Sequence, residues 1–535
     1  MAEMAAKPEV FVRKSSGLVR TAGWWDVLAY NVNFTSIGLL LVFLLWLGAA
    51  FYPGVNLAVS AILCTLLILP LALTFGYLAS AMPRSGGDYV YVSRVLGPAL
   101  GMMSNFNVTM WWFFYGGVPS AFLAIYGLAP FFRTMGIFTG NSGLIDVGNW
   151  FASPTGMFIF GALLISLLVY IFARGMKTFF RIQNILILFA IVSTVLSVVV
   201  FVGKSSADVM EAFNRYVGPL TGQANVAQFV LDSAKEGGFA LAPFDLRQTL
   251  LAMTWIYLNL SFMQSSAYIG SEVKDARRTQ LRSMLWTLGL VGLGVLVTVV
   301  VVVNAVGMDF LGALGWADPA SIGMSSTPLY TEVAAYLSGS TVVAFLITFG
   351  FIFWSYAWLP GQIINGSRNI LAYSLDGLFP AWFHRVHPKL NTPVVALGTM
   401  GVMSILALAI YVFTSYFATL VGIFGFILSF SLVSIAAMLL PYRLPAVFEA
   451  SPVKQRLGGI PVITIIGALS LISCVFMAWV FVADPNASGA NGPVFMVVFN
   501  LIIFLSGLGV YYLAKWLQKR RGVDVSLSYK QLPAE

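Results

Sequence analysis

The sequence predicts an all-α integral membrane protein of twelve transmembrane helices, ten of them in two inverted five-helix repeats and two peripheral. Three observations carry this reading. The composition is 59% hydrophobic and 9% charged, with a mean hydropathy of +0.89, far outside the range of soluble domains. The apolar residues fall in runs of about 20 or more, the length an α-helix needs to cross a hydrocarbon core of about 30 Å. With the N-terminus inside, all but five of the 29 Lys and Arg fall in cytoplasmic segments. The five outer ones are Arg133, Lys204, Arg215, Lys235 and Arg247. This one-sided charge places both termini in the cytoplasm and the chain in the cell (plasma) membrane. The net charge of +9 is then a topology and lipid-headgroup feature, and no nucleic-acid partner is expected.

In chain order, residues 1–23 form a cytoplasmic tail carrying Lys7, Arg13, Lys14 and Arg20, with no apolar core and hence no cleavable signal. The first repeat, 24–202, holds spans at 24–52, 56–82, 98–127, 155–173 and 179–202. An outer loop at 128–154 is rich in Gly, Asn and Ser. The extracellular loop 203–248 carries Asp208, Glu211, Asp232, Glu236 and Asp245, so it faces water. The second repeat, 249–441, holds spans at 249–271, 283–307, 333–366, 393–413 and 415–441, with a further outer loop at 308–332. A cytoplasmic linker, 442–460, precedes the two peripheral helices of 461–516. A cytoplasmic tail, 517–535, follows them.

The repeat is legible in layout rather than identity. A surface-helix pattern, Asp88 to Arg94, follows the second span on the inside, and a similar one, Leu329 to Tyr336, follows the seventh on the outside. The first span of each half carries a polar break at mid-depth. Such paired interruptions point to the binding site of an inverted-repeat carrier.

The first break reads Asn33-Phe34-Thr35-Ser36-Ile37-Gly38. Glycine lowers the cost of leaving helical dihedrals, and hydroxyls satisfy the backbone groups that are freed. The second reads Tyr257-Leu258-Asn259-Leu260-Ser261-Phe262. An opened helix offers N–H donors to a carboxylate and C=O acceptors to an ammonium, which suits a zwitterion. The competing explanation is helix packing through small and hydroxyl residues. The matching position of the two breaks favours a site. Tyr257 and Phe262 are candidates for an aromatic gate, and Gln264, Ser265 and Ser266 for the inner exit. Candidate cavity walls are Asn107, Trp111 and Tyr115 on the third span and Trp354 and Trp358 on the eighth. Asn105, Thr109, Trp112, Ser355, Tyr356, Gln362 and Asn365 belong to the same two surfaces.

No Asp, Glu, Lys, Arg or His falls in the central part of any predicted span. This disfavours a substrate held by a buried counter-charge and favours one without net charge. His384 and His387 read as solvated loop residues, and Cys64 and Cys474 as packed free thiols. There is no phosphate loop, dinucleotide fingerprint or nucleophile elbow. No enzyme activity, metal or cofactor is expected.

Three separated stretches resemble the amino acid–polyamine–organocation transporters. These are Ala81-Met82-Pro83-Arg84-Ser85-Gly86-Gly87-Asp88-Tyr89-Val90-Tyr91, Ser271 to Arg278, and Gly366 to Pro380 followed by His387-Pro388 and Thr392-Pro393. The resemblance implies an amino acid permease with a LeuT-like fold, whose first and sixth helices unwind around the substrate. That binding backbone maps onto Asn33 to Gly38 and Asn259 to Phe262. The sequence departs from the family where its sixth-helix Ser-Gly-Phe-Glu appears as Ser261-Phe262-Met263-Gln264. The family's sodium positions in the eighth helix fall near Ala357, Trp358 and Gly361. Its fifth-helix Lys has no counterpart, Arg181 standing only at the inner edge, so H⁺ and Na⁺ both stay open as coupling ion. The expected function is alternating-access transport of amino acids or related amines. A carrier of another small polar or heterocyclic solute, such as a nucleobase, is the alternative, ahead of a channel.

Overall fold

The computed structural model describes residues 17–414 and 419–530. Lys7, Arg13 and Lys14, the start of the tenth predicted span and the last five residues lie outside them. Among the described residues, eleven helices are long and apolar enough to cross a membrane. They coincide with eleven of the twelve predicted spans. The remaining one, the sixth span at 249–271, is missing from that count because no α-helix runs its full length. It is helical over Leu246–Leu251 and Met253–Leu260 and then tightens into 3₁₀ turns at Ser265–Tyr268 and Gly270–Glu272. Its amides bond three residues back: Phe262 to the Asn259 carbonyl at 3.1 Å, Ser265 to Phe262 at 3.1 Å and Ala267 to Gln264 at 2.9 Å. Such turns satisfy the backbone where lipid offers no partner.

The first span breaks at one residue. Trp24–Thr35 ends at Ser36, which has φ 42° and ψ 80°, and Ile37–Val42 restarts the helix. A left-handed conformation costs a non-glycine residue roughly 1–2 kcal/mol. Ser36 offsets this locally: its Oγ donates to the Trp354 carbonyl at 2.7 Å and accepts from the Leu39 amide at 3.4 Å. The nearby Gly38 has a different job from the one its sequence context suggests. A Cβ there would lie 2.5 Å from the Trp354 Cβ, so it is glycine because the first and eighth spans touch.

The predicted outer loops are largely helical. The third span continues past 127 through a π-helical stretch, Leu123–Leu128, into Ala129–Thr139, and Ser142–Ala152 follows. Residues 203–248 hold Ser206–Thr221 and Val226–Glu236. The two patterns read as surface helices are helices, Asp88–Val95 and Tyr330–Ser338, but both are buried almost throughout. The first packs beneath the third and tenth spans, the second against the fifth and eighth. The linker forms a short helix, Pro445–Glu449, and a two-residue hairpin pairing Arg456–Leu457 with Ile460–Pro461.

The eleventh and twelfth spans do more than flank the bundle. The eleventh packs on the second and tenth, the twelfth on the third and tenth. In the loop between them, the Asp484 carboxylate accepts from Tyr52 Oη at 2.7 Å and Thr254 Oγ1 at 2.8 Å. It thereby ties the C-terminal end of the first span to the sixth.

Candidate functional site

The two breaks meet. Asn259 Nδ2 donates to the Ser36 carbonyl at 3.3 Å. Ser36, Asn259, Ser261 and Phe262 are each 0% exposed. Asn259 Oδ1, Ser261 Oγ and both amide atoms of Gln264 and of Gln362 have no hydrogen-bond partner among the described residues. Each such buried group costs about 1–3 kcal/mol when unsatisfied. All six atoms belong to the sixth and eighth spans.

Phe262 sits inside an aromatic cage. Its ring centroid lies 5.4 Å from Phe34, 5.5 Å from Trp112, 5.1 Å from Phe426 and 6.2 Å from Trp358. Tyr115 stands 6.4 Å away and packs on Trp358 at 5.6 Å. Tilted and edge contacts of this kind add about 0.5–1.5 kcal/mol each beyond burial. Phe34 also requires Gly361: a Cβ there would fall on the ring. Beside the cage, Asn33 and Phe34 line a cleft of about 10 Å³ with Gln183 and Tyr356, room for about one water. The site is closed over its own side chains.

Asn31 locks the helical half of the first span to the turns of the sixth. Its Nδ2 donates to Ser266 Oγ at 3.0 Å and its Oδ1 accepts from the Ser266 amide at 2.8 Å. Tyr30 donates to Asn365 Oδ1 at 2.8 Å. Ser266 is thus a junction between the first, sixth and seventh spans, through Gln280 at 2.6 Å.

The predicted residues divide by position. Asn259 meets Ser36, and Phe34, Phe262, Tyr115 and Trp358 share the cage, while Ser261 and Leu260 are buried and Gly38 packs against Trp354. Thr35 Oγ1 turns back onto the Val32 carbonyl at 2.8 Å, and Ile37 is half-buried beside Gly294 of the seventh span. Trp354 backs Ser36 through its carbonyl, while its indole reaches Thr194 at 2.8 Å. Three candidates point elsewhere. Trp111 donates to Asn500 of the twelfth span at 3.0 Å, Asn107 to the Gly425 carbonyl of the tenth at 2.7 Å, and Tyr257 packs on Phe481 of the eleventh at 6.1 Å. Trp112, not Trp111, faces the cage. Adjacent helix positions differ by about 100° in direction, and no sequence signal sets that phase. Phe426, one of 43 Phe, had no distinguishing signal, and neither did Tyr30.

Around the end of the sixth span lies a sealed seam. Arg368 Nε donates to Glu272 Oε1 at 2.6 Å with both side chains buried. The Glu272 carbonyl accepts from the Thr21 and Ala22 amides at 2.9 and 3.0 Å, and Lys274 N bonds the Ala22 carbonyl at 2.9 Å. The Gly86 amide donates to the Tyr268 carbonyl at 3.1 Å, and Ser85 bonds Ser271. Gly87, at φ 47°, has no room for a side chain: its Cβ would lie 2.9 Å from the Tyr268 ring. The exit of the sixth span, charged in sequence, therefore buries its glutamate in an ion pair. Two further buried pairs stand at span ends, Arg94 with Asp376 and Arg133 with Glu332.

The profile of the amino acid permease family matches residues 23–507. The chain is 23% identical over 504 residues to the methylthioribose transporter of Bacillus subtilis (strain 168), covering 92% of this chain and 94% of that one. It is 23% identical to a branched-chain amino acid permease of the same organism, covering 91% and 92%. It is also 23% identical to the human large neutral amino acids transporter small subunit 2, covering 84% and 72%. With a membrane-spanning helical bundle and a family match along nearly its whole length, this chain is a transporter, and it belongs to the amino acid permease family of the amino acid–polyamine–organocation superfamily.

Proposed function

We propose that this transporter is a secondary carrier of amino acids without net side-chain charge, working by alternating access between two inverted repeats, 24–202 and 249–441. The substrate is held at mid-membrane between Asn33–Gly38 and Asn259–Phe262, with Tyr115, Trp354 and Trp358 in the wall. The zwitterion's charged ends are met by backbone and amide dipoles. The observation that carries this reading is the Asn259–Ser36 contact between the two helix breaks, set beside an aromatic cage that contains no ionisable side chain other than Tyr115. Relatives that are branched-chain and large neutral amino acid carriers support the substrate class. The charge asymmetry of the sequence supports a plasma-membrane location with both termini in the cytoplasm.

A second reading has its own support. Phe262 stands where the family has glycine and Gln264 where it has glutamate, and one relative carries methylthioribose. A small polar solute that is not an amino acid fits the same dipolar site. Uptake competition in proteoliposomes separates the two, with radiolabelled leucine and radiolabelled methylthioribose each set against neutral, cationic and anionic amino acids and methylthioribose. Competition by neutral amino acids alone supports the first reading. Competition by methylthioribose alone supports the second, and preference for a cation overturns both.

A further inference from the structure

A buried carboxylate without a cationic partner stands at the inner seam, outside the proposed substrate site. Asp88 opens the helix Asp88–Val95 directly after the glycine pair that grips the end of the sixth span. Its side chain is fully buried. Oδ1 accepts from Asn105 Nδ2 at 2.8 Å, while Oδ2 has no hydrogen-bond partner among the described residues.

The groups around it are neutral. Its own helix brings Tyr91, the sixth span Tyr268 and the eighth Tyr373. The third span brings Asn105 and Ser104, and these two side chains and the Tyr268 hydroxyl oppose the rise that burial gives the Asp88 carboxyl. The titratable side chains of the tenth span, Tyr442 and Arg443, are exposed at its far end. The C-terminal tail brings Tyr529, which bonds Tyr89. The two nearby guanidinium groups are committed: Arg94 holds Asp376 and Arg368 holds Glu272.

We propose that Asp88 is a proton-binding site that couples closure of the inner seam to proton uptake. With the seam closed and the carrier open to the opposite side, the carboxylate takes one proton from hydronium on that side at Oδ2, leaving water, and becomes a neutral acid, which removes a buried charge without a cationic partner. When the contacts of Gly86 and Gly87 with Tyr268 part, water reaches the group, its proton affinity falls, and the proton leaves to the cytoplasm as the carboxylate re-forms. Burial pushes its pKa up to about 6 from an ordinary 3.8, so the closed seam binds more protons. Acid therefore favours closure, and closure weakens as pH rises through about 6. The coupling half of this inference rests on the carrier reading above; the proton-binding half does not.

Two measurements test it. Infrared difference spectra of the purified protein between about pH 5 and pH 8, spanning the shifted titration, should show a carboxylic C=O band that disappears in Asp88→Asn. Should that variant fail to fold, Asp88→Glu serves, its band moving in frequency. Absence of the band, or its persistence unchanged in both variants, overturns the proposal. In proteoliposomes with leucine as probe, an inward gradient of about one pH unit should drive up to about tenfold accumulation at one proton per substrate. Asp88→Asn should bring that ratio to about one while counterflow exchange continues. Accumulation that survives in Asp88→Asn overturns the coupling. If neither protein moves leucine, the substrate reading fails, and the infrared titration still decides whether Asp88 binds a proton.

Discussion

Arg368 and Glu272 lie 96 residues apart and form an ion pair of 2.6 Å, with neither side chain reaching solvent. The pair joins the eighth span to the end of the sixth at the level where the N-terminal segment, through Thr21 and Ala22, also binds the Glu272 backbone. Three parts of the chain therefore share one residue on the inner face. On the carrier reading proposed above, opening at this end has to separate them.

Breaking this pair from one side should be costly. Glu272→Gln leaves the Arg368 guanidinium buried without its counter-charge, a loss of about 3–5 kcal/mol. Thermal unfolding of the detergent-purified protein should show a clear drop in midpoint. Replacing both residues by apolar ones, Glu272→Leu with Arg368→Met, should recover much of it. A single variant as stable as the parent would remove the pair from the account of inner closure.

The contact between the two helix breaks should matter for binding more than for folding. Asn259→Ala removes the amide that reaches the Ser36 carbonyl. Loss of one buried hydrogen bond of about 1–1.5 kcal/mol weakens substrate by about tenfold. The substrate-induced thermal shift, read with leucine, should fall accordingly. An undiminished shift in both Asn259→Ala and Ser36→Ala would move the site away from the breaks.

Packing at two glycines sets how closely the first and eighth spans approach. Gly361→Ala places a methyl on the Phe34 ring and Gly38→Ala one against Trp354. Overpacking of this kind costs about 1–3 kcal/mol. Both variants should lose stability and lower maximal uptake. Gly361→Ala combined with Phe34→Leu should regain stability, whereas no gain would show that the ring is not what the methyl meets.

The outer tie through Asp484 should be sensitive to pH. Burial raises the pKa of this carboxyl, and the hydroxyls of Tyr52 and Thr254 oppose the rise. A raised carboxylate pKa contributes stability at low pH that is lost as pH climbs through the shifted value. Asp484→Asn should flatten that dependence in thermal unfolding scans from acid to neutral pH. Asp484→Ala should cost about 1–3 kcal/mol by stranding two buried hydroxyls. A pH profile identical to the parent in Asp484→Asn would contradict the assignment.

Much of this protein was legible before any coordinate. Apolar runs have only one way to satisfy their backbone in lipid, so eleven of the spans follow from length and composition alone. The interruption of the first span was local enough to read to within a residue or two, because a polar cluster beside glycine has few reasons to sit at mid-depth. The sixth span shows where such reading stops. Its polar middle announced a departure from α-helix, but whether Ser261 to Glu272 would open or tighten into 3₁₀ turns depended on Asn31, Gly86 and Thr21, residues some 180 or more positions away.

The same limit explains Trp111 and Trp112, Asp88 and Asp484. Helix phase, the covering of Asp88–Val95 by the third and tenth spans, and the reach of Asp484 to Tyr52 are relations between segments distant in sequence. The sequence by itself determined the membrane-spanning class, the expected topology and the positions of the two breaks, because hydrophobic length and local polarity are properties of single segments. Only the tertiary structure decided which aromatic ring entered the cage, which charges found partners and which carboxylate was left without one. Those outcomes depend on side chains meeting across the bundle, where burial sets the cost of an unpaired charge.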